Sequence, residues 1–177
     1  VNHPRPFPAP VVIDPDPDPA REPPLDRLPV GAQVYVVDGD FAVARGLESM
    51  LRAYRLRVRT FPSAEGLLAA LEGDPAAGTE GPTAEPAPAD AAPVCLITEL
   101  GLPGMSGLDL ITRLRRRGSR LPVIVMANRT DVSSAVAAMR AGALDYLEKP
   151  FSQQRLLARV AEALSGHGVR QEGAAFV

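Results

Sequence analysis

The chain is 177 residues long and 46% apolar, with a formal net charge of -2 and a pI near 5.7. That length suits one compact domain with additions, and the apolar share is enough to close a single core. The mildly acidic balance argues against nucleic acid as a bulk partner, and no apolar run reaches the roughly 18 residues of a membrane span or takes the form of a secretory signal.

Ten of the 19 prolines fall before Val30, five between Gly73 and Pro93, and four elsewhere. Residues 1–30, with PDPDPA at Pro15 to Ala20, are therefore expected to form an extended, acidic, disordered arm. A folded segment from Gly31 to Gly166 follows, opening on a strand at Gln33 to Val37. Phe41, Ala44, Leu47, Leu51 and Tyr54 then recur at helical spacing, with Asp40 placed to cap that helix. A second strand is expected at Arg57 to Phe61 and a helix from Ser63 through Leu71. The second proline-rich segment, 73–93, reads as a flexible surface insertion.

Val94 to Thr98 forms the third strand and ends on Glu99; the chain then turns through Pro103 and Gly107 into a helix whose stripe is Leu108, Ile111 and Leu114. Arg115, Arg116, Arg117 and Arg120 near its end are expected to be solvated, where arginine suits the negative end of the helix dipole. Pro122 to Met126 is the fourth strand, followed by a helix carrying Val132, Ala135, Val136 and Met139. Leu144 to Leu147 is the fifth, and Leu156, Val160, Ala161 and Leu164 stripe the last helix. Residues 167–177 are expected to be a flexible tail. Cys95, the lone cysteine, lies among apolar residues, which suits a core position in a reducing compartment such as the cytoplasm.

Strands and helices alternate five times, so the fold class is α/β: a doubly wound parallel sheet with right-handed crossovers and helices on both faces. Without the insertion, the folded part holds roughly 115 residues, an ordinary domain size. In such a sheet the functional crevice lies beyond the carboxyl ends of the strands. Asp38 and Glu99 stand there.

Two stretches carry a family resemblance: CLITELGLPGMSGLDL, Cys95 to Leu110, and DVSSAVAAMRAGALDYLEKPF, Asp131 to Phe151. They resemble the receiver domain of bacterial response regulators, of the FixJ type. The resemblance implies a flavodoxin-like five-stranded sheet in the order 2-1-3-4-5. It also implies two acids after strand one that hold Mg²⁺, an acceptor aspartate after strand three, a hydroxyl after strand four and a lysine before proline after strand five.

Compared by position, Asp38 keeps the first acid, while Gly39 replaces the second and offers no ligand. Glu99 stands at the acceptor position and moves the carboxylate outward by one C–C bond, about 1.5 Å. Met126 is assigned to the hydroxyl position and has no useful donor; alone it would be an ordinary core methionine. Lys149, before Pro150, is the only lysine in the chain, and it is expected to pair with Glu99 or Asp38. Tyr146 falls at the switch aromatic, expected outward if Met126 fills the space beneath it and inward if that space stays open.

The pocket is therefore read as a degenerate phosphoacceptor site: Asp38, Gly39, Glu99, Met126 and Lys149. No catalytic residue and no cofactor are expected beyond weak Mg²⁺, with Asp38 and Glu99 its ligands if any. The expected function is an atypical, phosphorylation-independent receiver that works by protein contact. By resemblance, the partner face is helix 4, strand 5 and helix 5, about Thr130 to Leu164, and the partner is a second copy, a histidine kinase or an output protein. The alternative is a single-domain regulator that still accepts a phosphoryl group. A cofactor-binding enzyme has less support, since VVDGDFAVARG contains no G-x-G-x-x-G and no P-loop.

Overall fold

The structure is a computed structural model that describes residues 28–73, 93–128 and 131–165. The expected N-terminal arm up to residue 27, the insertion from 74 to 92 and the tail lie outside the described residues. Along the chain run β1 (Gln33–Val37), α1 (Phe41–Ala53), β2 (Arg57–Phe61), α2 (Ala64–Leu71), β3 (Val94–Glu99), α3 (Gly107–Arg116), β4 (Val123–Ala127), α4 (Val132–Ala141), β5 (Asp145–Glu148) and α5 (Gln153–Leu164). The sheet order is β2-β1-β3-β4-β5, with every pairing parallel.

Successive side chains of a strand point to opposite faces, and the two cores follow that rule. On the α1 and α5 side, Val34, Val36, Ile97, Ile124, Met126 and Leu147 meet Leu51, Leu156 and Val160. On the other side, Val37, Leu96, Val123 and Val125 meet Leu67 of α2, Leu110 and Ile111 of α3, and Ala138 of α4. Burying each large side chain stabilises the fold by about 1.5–3 kcal/mol. Leu28, assigned to the arm by composition, is buried in the first of these cores at 8% exposure.

Several details differ from the expected pattern. β4 and β5 each begin and end one residue later than their apolar runs suggest. Pro122 lies outside β4, although its carbonyl still receives the Leu96 amide at 2.9 Å. Phe41 is 73% exposed because, as the first residue of α1, it stands beyond the sheet edge; Ala44, Leu47 and Leu51 make the buried stripe. On α3, Leu110 rather than Leu108 is fully buried. Arg115 does more than cap a dipole: it donates to the carbonyls of Ser119 at 3.0 Å and Gly142 at 2.8 Å, tying α3 to the end of α4. Burial lowers the pKa of its guanidinium.

Candidate functional site

Because all strands are parallel, their carboxyl ends share one edge, and the loops leaving β1, β3, β4 and β5 line a cavity of about 560 Å³ there. Asp38, Gly39, Asp40, Glu99, Asn128 and Lys149 are among its walls. Asp38 continues β1, its amide donating to Phe61 O at 3.2 Å, and is only 3% exposed. Its Oδ1 accepts the Asp40 amide at 2.8 Å and its Oδ2 accepts Lys149 Nζ at 3.0 Å. Asp40 is turned away to its own helix, capping α1 through the amides of Ala42 and Val43.

Glu99 ends β3 and is 6% exposed. Its Oε2 accepts the second hydrogen bond from Lys149 Nζ. The backbone beneath it is locked: Leu100 N donates to Met126 O at 2.7 Å and Gly107 N to Leu100 O at 2.9 Å. Gly107 is required by space, since a Cβ there would lie 2.4 Å from Glu99 O. Met105 N donates to Glu65 Oε1 at 3.0 Å, so α2 braces the loop after β3.

Lys149 reaches in from beyond β5, its amide held by Ala127 O at 2.8 Å. Its side chain is 17% exposed. Burial pulls the ammonium's pKa down, but hydrogen bonds to Glu99 and Asp38, with their charges, outweigh that and raise it above the ordinary lysine value. The expected pairing of Lys149 with Glu99 or Asp38 therefore appears as a bridge to both.

Met126 is not where the sequence reading placed it. It is fully buried in the α1 and α5 core and is not among the residues lining the cavity. Ala127, the last residue of β4, falls on the face of Val125, and Asn128 lines the cavity. The assignment slipped by one residue, and a one-residue slip moves a side chain to the opposite face. The hydroxyl-free character of this strand end is unchanged, since alanine also lacks the group. Counting the alternation forward from Val123 in VIVMAN would have put Ala127 on the face of Val125, whereas nothing in the sequence singled out Asn128.

Tyr146 pairs with Val125 and packs, half-buried, on the Val37 and Ala138 side. Met126 is on the other side, so the space beneath the tyrosine is not its to fill. Burial raises the Tyr146 pKa, and the charges of Asp131, Glu148 and Glu99 add to the shift.

The donors do not suit the Mg²⁺ that the resemblance implies. Such an ion wants near-octahedral oxygen coordination, yet the second acid is a glycine, and the ammonium engages one oxygen of each remaining carboxylate. Among the described residues no group of three or more His, Cys, Asp or Glu is placed to hold a metal ion. At Gly39 an added Cβ would sit 3.1 Å from Pro103 Cδ, so a carboxylate there would require the proline to move by a few tenths of an ångström.

Comparison with known proteins places this geometry. The profile of the response regulator receiver domain matches residues 34–161. The chain is 36% identical over 131 residues to the response regulator protein TmoT of Ectopseudomonas mendocina, covering 74% of this chain and 52% of that protein. It is 36% identical over 149 residues to the transcriptional regulatory protein FixJ of Azorhizobium caulinodans, covering 83% and 63%. The chain thus spans between 52% and 63% of the length of these relatives. Among solved structures, the FixJ-N crystal structure superposes with a TM-score of 0.62 at 30% identity, over 76% of this chain and 94% of that one. A putative response regulator from Chloroflexus aurantiacus gives 0.62 at 31% identity, over 76% and 98%. Among the described residues no helix is long and apolar enough to cross a membrane.

Proposed function

Since the chain belongs to the response regulator receiver domain family, we propose that it is a phosphorylation-independent receiver, a cytoplasmic signalling module that works by protein contact and not as an enzyme. The observation that carries this reading is the Lys149 ammonium bridging Glu99 and Asp38. Accepting a phosphoryl group requires a carboxylate free for in-line attack and charges arranged around the transferring group. Here the carboxylate is displaced by a methylene and held by a lysine. No hydroxyl stands at the end of β4 and no second acid at Gly39. In this reading a carboxylate at position 99 partly imitates a phosphorylated acceptor and keeps the domain near an active-like state.

Output then depends on a surface. α4 supports the expected face, because Val132, Val136 and Met139 are 78%, 43% and 48% exposed. They lie at i, i+4 and i+7, one stripe of the helix. A protein partner, with a second copy of the chain the first to test, covers that stripe in this reading.

Intact mass after incubation with a small phosphodonor and Mg²⁺ tests the chemistry. The natural chain is expected to show no adduct. A Gly39→Asp, Glu99→Asp, Ala127→Thr variant is expected to gain one phosphoryl group. A stoichiometric adduct on the natural chain would instead favour a working phosphorelay regulator.

A further inference from the structure

In a parallel sheet whose crossovers are helices, helices end where strands begin, so the edge opposite the pocket collects helix carboxyl ends. Arginine gathers there. Arg55 follows α1, Arg113, Arg116 and Arg117 close α3, Arg120 follows it, and Arg140 lies in the last turn of α4; all six are exposed. Arg115, bonded to Gly142 O at 2.8 Å, joins the ends of α3 and α4 and so brings Arg116, Arg117, Arg120 and Arg140 onto one rim. The acids at this edge are already engaged: Glu72 by Arg117 at 2.5 Å, and Asp145 and Glu162 by Arg159 at 2.8 and 3.0 Å. Among the described residues, Arg55, Arg116, Arg120 and Arg140 meet no carboxylate within ion-pair distance. The net charge divides the same way. The described residues carry 14 basic against 11 acidic side chains, and the rest of the chain 5 against 10. The folded body is therefore the basic part of a chain that is acidic as a whole.

The densest acidic run is Asp14, Asp16 and Asp18, alternating with prolines, and its segment enters the fold at this same edge. Leu28 is buried there, and Gly31 N donates to Arg55 O at 3.2 Å. We propose that the arginine rim at the ends of α3 and α4 docks the acidic proline run Asp14–Asp18 of the same chain. Asp18 lies ten residues before Leu28, and at about 3.1 Å per residue of proline-rich chain this spans about 31 Å, enough to cross a domain of this size. Three carboxylates in about 12 Å of chain suit guanidinium groups set around two helix ends. Proline has already fixed much of the backbone of that run, so little freedom is lost on docking. Tethering supplies a high local concentration, which favours the chain's own run over that of a second copy. The acids of the insertion, Asp74, Glu80, Glu85 and Asp90, stand five or six residues apart; they present single charges where the run presents three. A docked run competes with any other anion for the rim.

The test places a nitroxide on Ala20→Cys in the full chain. Cys95 is buried and its thiol is pushed up to about 12, so the label goes to the new cysteine. The amide signals of Gly118, Ser119 and Gly142 are expected to lose intensity at low salt, and to regain it at about 1 M salt, where the screening length is about 3 Å. Asp14→Asn with Asp16→Asn and Asp18→Asn, or Arg116→Gln with Arg120→Gln, is expected to abolish the loss. Neutralising Asp74, Glu80, Glu85 and Asp90 is expected to leave it in place. Full intensity at low salt would overturn the proposal. So would a loss that survives neutral variants of the run or the rim, one that disappears with the charges of the insertion, or one that grows with protein concentration, as docking of a second copy's arm would.

Discussion

Glutamate at position 99 extends its carboxylate about 1.5 Å further from the strand than aspartate would, and in this crevice that reach ends on Lys149. Three residues far apart in sequence, Asp38, Glu99 and Lys149, meet because three parallel strands end at one edge. Each is held from behind: Asp38 by the Asp40 amide, Lys149 by Ala127 O, and Glu99 by the turn into α3. Gly107 carries the last of these restraints. Its Cβ position is taken by Glu99 O, a backbone atom with little freedom to move. Gly107→Ala is therefore expected to destabilise the domain by about 1–3 kcal/mol, as overpacking does. Urea unfolding measures it, and a change within error would mean that the turn relaxes and that Glu99 is less fixed than described. Asp38, Glu99 and Lys149 were legible in the sequence because residue type and flanking motif both marked them. Met126 was misplaced because apolar runs locate a strand only to within a residue, and one residue decides which face a side chain takes.

Among the elements, α4 departs furthest from its sequence pattern. Its apolar residues recur at helical spacing, which by itself predicts a buried stripe. In the structure α4 buries Ala138 and leaves Val132, Val136 and Met139 in solvent. Periodicity reports that a helix has an apolar face without saying what covers it. The start of the helix is firmly set: Asp131 accepts from the hydroxyls of Ser133 and Ser134 and from the Ser134 amide, and these bonds hold its carboxyl at about 2. Its end is set by Gly142 in the left-handed conformation, φ 100°, with Arg115 on its carbonyl. A helix fixed at both ends with an uncovered stripe is suited to docking. Val136→Glu with Met139→Glu is expected to weaken self-association in sedimentation velocity. Stability should stay within about 0.5 kcal/mol of the natural chain, as for most surface changes. Unchanged association would remove this stripe from the account.

For the whole molecule, a parallel sheet with helices on both faces was legible because five strand and helix periods alternate and parallel crossovers have one hand, while the strand order came from the family resemblance and is the one observed. What sequence could not supply was occupancy: the pattern places acids and a lysine at one edge without saying which charge touches which. The structure resolves this into a bridged cluster, and the proposed function rests on it: a receiver that accepts no phosphoryl group and keeps one state. An amide-resolved NMR spectrum of the natural chain, recorded with and without excess Mg²⁺ and a small phosphodonor, tests that claim most directly. The two spectra are expected to superimpose at Gly39, Gly101, Asn128 and throughout α4. A second set of peaks at those positions, growing with the phosphodonor, would contradict it.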